Sequence, residues 1–87
     1  MQYIPLDESD DRQTALVWLE QEEPTEIHTD CVERFLILEG TCDVTIGNEL
    51  HAMIPGNVIT IPMFTEHSVR VTSTMPCKAI LQRVMVV

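Results

Sequence analysis

The stretch Gly56-Asn57-Val58-Ile59-Thr60-Ile61-Pro62-Met63-Phe64-Thr65-Glu66-His67 decides our interpretation of this chain. It opens with a Pro55-Gly56 turn, and the β-branched residues that follow are typical of a short β-strand. Pro62 ends the strand, because proline lacks the N–H needed for a ladder hydrogen bond. His67 follows at the start of another alternating apolar run. A histidine in this place can ligate a metal if other ligands lie nearby.

Short strand-like runs separated by turn residues occupy most of the remaining sequence. Gly47-Asn48 is a dipeptide typical of a hairpin turn, and no segment shows the apolar periodicity of an amphipathic helix. The pattern predicts an all-β barrel or sandwich of seven or eight strands. The predicted strands are Ala15–Leu19, Thr25–His28, Val32–Gly40, Cys42–Ile46, Glu49–Ile54, Val58–Ile61, Glu66–Thr72 and Lys78–Val87.

The strongest of these strands, Val32–Gly40, is apolar on both faces. Phe35 and Ile37 share one face, and Leu36 and Leu38 share the other. A strand with this pattern is covered on both sides. In a chain of 87 residues, we expect another subunit to cover the second face. We therefore predict a homodimer.

Composition limits the range of partners. Fourteen acidic residues against five basic ones give a formal charge of −9. Nucleic acids and anionic membranes bind clustered Lys and Arg, so we expect neither as a partner and predict a small-molecule ligand instead. No apolar run reaches the length of a membrane span, and the first residues lack the features of a signal peptide. We expect a soluble, cytoplasmic protein.

The chain is short enough to form one folded domain. Residues 1–13 are polar and acidic, which predicts an N-terminal loop or loosely held arm. Residues 14–87 are expected to form the single barrel domain. Cys31, Cys42 and Cys77 are odd in number and form no CxxC motif, so we expect reduced thiols.

Two further residues are candidates to join His67 at one end of the barrel. His28 ends a short predicted strand, and Glu33 opens the strongest one, with turn residues between them. A turn across residues 29–32 would place both side chains at the same level of the barrel mouth. Two histidines and one carboxylate form the facial triad, a metal-ligand set that leaves positions open for water or substrate.

These residues carry a resemblance to the cupin superfamily. Its first motif has two histidines one residue apart, a glutamate after three or four more residues, and a glycine after six more. Glu33 and Gly40 have the six-residue gap, with an aromatic-aliphatic run between them. The second motif is glycine, five residues, proline, one residue, glycine, two residues, histidine. Gly56, Pro62 and His67 match it position for position. The resemblance implies a double-stranded β-helix, or jelly-roll barrel.

The sequence departs from the first motif, because only one of its two histidines is present. If His28 is the second histidine, four residues separate it from Glu33, as in the family, and Glu26 replaces the first. If His28 is the first, Asp30 replaces the second, but only two residues separate Asp30 from Glu33. The resemblance implies His28, Glu33 and His67 as metal ligands. We predict Glu26 as the fourth, with Asp30 as the alternative.

A second departure lies in the other motif, where Phe64 occupies the place of the last glycine. A bulky side chain in that turn would narrow the mouth of the barrel. The expected pocket wall is apolar and consists of Phe35, Ile37, Val44, Ile46, Val58, Phe64 and Val69.

The resemblance implies one divalent transition metal, which could be iron, manganese, zinc or nickel. Two carboxylates with two histidines favour manganese or ferrous iron over copper. Arg34 and Arg70 point outward by strand alternation, so we expect a small, not strongly anionic ligand.

The family contains enzymes and binding proteins, so the resemblance leaves the function open. One hypothesis is a metal-dependent enzyme similar to the family's dioxygenases or isomerases. The alternatives are a non-catalytic metal-binding or ligand-binding sensory module, and a scaffold whose metal site has decayed.

Overall fold

The computed structural model describes residues 1–86, which form two antiparallel β-sheets and no helix. The prediction of an all-β fold is confirmed, and each predicted strand has a counterpart. Val87, the end of the last predicted strand, lies outside the described residues. The strands are β1 (Gln2–Glu8), β2 (Arg12–Leu19), β3 (Glu22–Glu26), β4 (Cys31–Glu39), β5 (Cys42–Ile46), β6 (Glu49–Met53), β7 (Val58–Ile61), β8 (His67–Val71) and β9 (Cys77–Met85).

The two sheets face each other across one core. The larger has the strand order β1-β2-β9-β4-β7, and the smaller has the order β3-β8-β5-β6. Alternate residues of both sheets point inward, as the period of two in a β-strand requires. Leu19, Ile37 and Ile61 from the larger sheet pack with Val44 and Val69 from the smaller one. No helix in residues 1–86 has the length and apolar character needed to cross a membrane.

The N-terminal segment differs from the sequence-based expectation. Its acidic composition predicts a loop or arm over residues 1–13, but Gln2–Glu8 form β1 and pair with β2. The loop prediction is therefore wrong for these residues. The ladder consists of backbone hydrogen bonds, which polar side chains on an exposed edge strand do not prevent. The domain boundary at residue 14 stays a prediction.

The outward face of the larger sheet carries an aliphatic residue on every strand. Cross-strand pairing aligns Ile4 with Leu16, Leu16 with Ile80, Ile80 with Leu36, and Leu36 with Val58. We name these five residues the outer apolar row. Val58 is 55% exposed, so its expected place in the pocket wall is wrong. Pairing with β4 turns Ile59 and Ile61 inward instead, because neighbouring residues face opposite sides.

Two glycines of the sequence motifs have backbone conformations that other residues rarely adopt. Gly40 directly follows β4 and has a φ of 76°, and a Cβ atom there would lie 2.9 Å from the carbonyl oxygen of Pro76. Gly56 has a φ of 92° in the turn before β7. Both positions therefore favour glycine for a steric reason.

Candidate metal centre

His67 is the first residue of β8 and points into the barrel mouth, with a relative exposure of 6%. Its Nδ1 lies 3.4 Å from the carbonyl oxygen of Thr65. A carbonyl oxygen only accepts hydrogen bonds, so Nδ1 carries the proton and donates it there. The Nε2 atom then presents a lone pair to the barrel interior. A metal-ligating histidine is commonly oriented in this way.

His28 lies between β3 and β4 and is held against the His67 turn. Its carbonyl oxygen accepts a hydrogen bond of 2.8 Å from the backbone N–H of Phe64. The two imidazole rings are 5.0 Å apart between centroids. Phe64 is 70% exposed and has a φ of 60°. Its ring therefore lies in solvent and does not belong to the expected pocket wall, while its backbone connects the two histidine loops.

Glu33 is the inward residue near the start of β4, with a relative exposure of 3%. Its Oε1 atom lies 2.8 Å from Nε2 of His28 and 3.2 Å from Nε2 of His67. Its Oε2 atom accepts a hydrogen bond of 2.8 Å from Nε of Arg83. One carboxylate oxygen thus faces both imidazoles, and the other is occupied by a guanidinium group.

The polar atoms at the centre of this cluster do not satisfy one another. Nε2 of His28 is buried and has no hydrogen-bond partner, although Glu33 is within contact distance. Buried polar atoms are nearly always hydrogen-bonded. In a neutral imidazole with its proton on Nδ1, the lone pair of His67 Nε2 also faces Oε1 of Glu33, 3.2 Å away. These residues fit a divalent cation, which would accept all of these lone pairs.

Glu26, at the end of β3, is the acidic residue that also approaches both histidines. Its Oε2 atom is 3.3 Å from Nε2 of His28. One ligand atom each from Glu26, His28 and His67 lies within 4.8 Å of the others. Asp30 instead groups with His28 and Cys31, and His67 is not part of that set. Glu26 as the fourth ligand stays a prediction, which this geometry supports over Asp30.

The remaining polar residues of the expected site have other surroundings. Cys31 is buried, and this burial, together with the charges of Glu33 and Asp30, raises the pKa of its thiol. The thiol therefore stays protonated at neutral pH. His51 lies on β6, with its side chain 41% exposed and 3.5 Å from Glu49.

Arg83 is a site residue that the sequence reasoning overlooked. Arg34 and Arg70 are exposed, as alternation predicts, but Arg83 follows Ala79 and Leu81 on the inward face of β9. It pairs directly with Glu33 in the β4–β9 ladder. Burial by itself would lower the pKa of the guanidinium, but the hydrogen bond and charge of Glu33 outweigh it and raise that pKa. Extending the alternation of β9 by one step would have found Arg83.

Two cavities meet beside this cluster. The smaller, of about 50 Å³, is lined by Glu23, Glu26, Glu33, Phe35 and His67, among others. The larger, of about 250 Å³, lies against β1, β2 and β9. Both are lined by Met1, Leu81 and Arg83, so they adjoin at these residues. Arg83 therefore lies between the larger cavity and the histidine–glutamate cluster.

The fold has counterparts in known proteins. The family model described as "Cupin domain" matches residues 16–86. This chain belongs to the cupin family. The family resemblance seen in the two sequence motifs is confirmed, and with it the jelly-roll barrel. No curated protein matches the sequence.

Several solved structures share this cupin fold. A cupin-2 domain containing protein from Shewanella frigidimarina is 25% identical, with 95% of this chain and 79% of that one covered and a TM-score of 0.82. KdgF from a Halomonas species is 15% identical, with 95% and 78% covered and a TM-score of 0.88. The cupin domain of Cnp3 from Schizosaccharomyces pombe is 16% identical, with 97% and 64% covered and a TM-score of 0.90. This chain thus spans under two thirds of the Cnp3 chain. The likeness to KdgF and Cnp3 shows the fold alone.

Proposed function

We propose that this cupin binds one divalent transition metal and acts as a metal-dependent enzyme on a small molecule. The observation that carries the proposal is the buried Nε2 atom of His28, which lacks a hydrogen bond although a buried carboxylate lies 2.8 Å away. His28, Glu33 and His67 would hold the metal, with Glu26 as the fourth ligand. Iron, manganese, zinc and nickel all suit these donors, and the two carboxylates favour manganese or ferrous iron.

Other side chains of this protein would position the metal ligands. Bound there, a divalent metal would polarise a carbonyl or hydroxyl group of the small molecule. Arg83 fixes the orientation of Glu33 through Oε2, which leaves Oε1 for the metal. His67 is held in the required tautomer by the carbonyl oxygen of Thr65.

Glu23 favours an enzyme over a module that only binds. Its Oε1 atom is buried without a hydrogen-bond partner, and the residue lines the smaller cavity beside His67. The amino group of Met1 lies 3.5 Å from the same oxygen. A carboxylate that lines the cavity beside a polarised substrate can accept a proton as a general base. Glu23 is therefore our candidate base.

The charged side chains of the site and the volume of the larger cavity limit the kind of substrate that can bind. Three glutamates, Glu23, Glu26 and Glu33, line the smaller cavity together with one basic side chain, that of Arg83. A strongly anionic molecule would exceed the positive charge available, so we propose a neutral or singly charged substrate. The larger cavity, at about 250 Å³, lies just below the usual range of roughly 300–1,000 Å³ for ligand pockets.

The deciding experiment is metal analysis of untagged protein purified without chelator and then loaded with each metal in turn. We expect about one metal per chain in the wild type. His67→Ala should abolish binding, because it removes a central ligand, while His51→Ala is the matched control and should keep it. An absence of metal in the loaded wild type would support the scaffold with a decayed site and refute the proposal.

A turnover assay distinguishes a metal-dependent enzyme from a non-catalytic sensory module. In the metal-loaded protein, a screen of small carbonyl and hydroxyl compounds, with and without dioxygen, should show product formation that Glu23→Gln reduces by about 10²–10⁴-fold, the usual contribution of a general base. Ligand binding without turnover in the wild type would favour the non-catalytic alternative.

We also propose that the protein is a homodimer in the cytoplasm. The outer apolar row crosses all five strands of the larger sheet, and its members range from partly buried to exposed. Such a face is suited to a second copy of the chain. The free thiols of Cys31, Cys42 and Cys77 support a reducing compartment.

A further inference from the structure

Arg83 has hydrogen-bonding capacity beyond its contact with Glu33. Its Nε atom donates to Glu33, but neither Nη group takes part in a hydrogen bond or salt bridge within residues 1–86. The side chain is 33% exposed. A guanidinium group has five N–H donors in a planar fork, so four of them remain for another partner.

The position of Arg83 indicates where that partner lies. The residue lines both cavities, and the larger one continues from it along β2 and β9. The wall beyond Arg83 includes the apolar residues Ala15, Val17 and Leu81. An apolar wall that leads to a fixed cation fits a molecule with an apolar body and one anionic group.

We propose that Arg83 binds the carboxylate of a small monocarboxylate whose apolar body lies against Ala15, Val17 and Leu81. Arg and carboxylate match in shape and commonly form two parallel hydrogen bonds. The inference deepens the proposed function, because it gives the substrate class and places the substrate beside the metal.

Neighbouring charges permit one carboxylate and disfavour two. Glu33 already neutralises part of the guanidinium charge at 2.8 Å. Glu8 also lines the larger cavity, in the same cross-strand row as Gln13 and Arg83. It is two strand spacings from Arg83, roughly 10 Å, and exposed, so its charge is largely screened. A second carboxylate on the ligand would face Glu8 or the glutamates near the metal.

The test uses benzoate, its neutral isostere benzamide and the dianion phthalate as probes in calorimetric titrations of metal-free and metal-loaded protein. We expect wild type to bind benzoate at least tenfold more tightly than benzamide or phthalate in both forms, since a hydrogen bond to a charged group contributes about that much. Arg83→Gln should lower the benzoate affinity at least tenfold, and Arg83→Lys less. Arg34→Gln, on the outer face of β4, should change nothing.

Other outcomes overturn the inference and stay distinguishable from failure of the proposed function. Benzoate binding that needs the metal and survives Arg83→Gln would show that the metal holds the carboxylate. Failure of wild type to bind benzoate would also refute the inference. Failure to bind metal, with the benzoate results as expected, would refute only the proposed function. If Arg83→Gln unfolds, the Nε–H resonance of Arg83 in wild type decides, because it should shift with benzoate and stay in place with benzamide.

Discussion

The two ends of the β4–β9 ladder share one register but differ in chemistry. At one end Phe35 and Ile37 face Leu81 and Ala79, and all four are buried in the core. At the other end Glu33 faces Arg83 beside two imidazoles. Burying apolar groups stabilises the fold, whereas burying charged groups costs free energy unless they are paired. The apolar end of the ladder therefore stabilises the barrel, and the polar end holds the proposed metal ligand Glu33.

The largest expected effect is on the apolar end. Ile37 is 1% exposed, and Ile37→Ala should lower the free energy of unfolding by about 2–5 kcal/mol, because it removes buried methyl groups and leaves a cavity. Chemical denaturation measures this loss. The folded variant should still bind one metal per chain. A variant that is folded but has lost its metal would show that the two ends are not independent.

A substitution at the polar end should instead reduce metal binding. Glu33→Gln should keep the shape of the side chain but remove the metal-ligating charge. In wild type, metal at a hundredfold excess over its Kd should raise the free energy of unfolding by about 2.7 kcal/mol. The variant should gain almost none of this. Thermal unfolding with and without metal measures the difference, and an equal gain in both proteins would exclude Glu33 as a ligand.

A substitution on the outer face of the β4–β9 ladder should have a smaller effect, on dimerisation. Leu36 and Ile80 are paired in the outer apolar row. Leu36→Asp should weaken dimerisation at least tenfold, about 1.4 kcal/mol, because it places a charge in an apolar interface. Light scattering over a concentration series measures the change. Leu50→Asp, at an exposed position on β6 of the smaller sheet, is the control. A monomeric wild type at micromolar concentration would refute the dimer.

The smallest effect is expected in the turn that connects the histidine loops. Phe64 has a φ of 60° and an exposed ring. Phe64→Gly removes a left-handed strain of about 1–2 kcal/mol but adds unfolded-state entropy worth roughly 0.5–1 kcal/mol. We expect a net gain of about 0.5–1 kcal/mol in the free energy of unfolding, with metal binding kept. A clear loss of stability would show that the ring contributes packing.

The sequence reasoning failed where the apolar alternation is too short, absent or interrupted by a charge. Alternation identified Phe35 and Ile37 as inward because their strand is long and flanked by clear turns. It misplaced Val58, because β7 has only four residues and no internal signal for which set faces the core. It missed β1, because an exposed edge strand buries no apolar face. It overlooked Arg83, because an inward charge breaks the apolar pattern that the reasoning follows.

The sequence by itself determined the family, the all-β fold, the turn glycines and the residues proposed as ligands. These depend on local spacing and on backbone conformations that few residue types can adopt. Only the tertiary structure decided that Glu33 faces both imidazoles, that Nε2 of His28 lacks a partner, and that Arg83 lies in the site. Glu33 and Arg83 are 50 residues apart along the chain, and their contact depends on the register of β4 with β9, which no local pattern encodes.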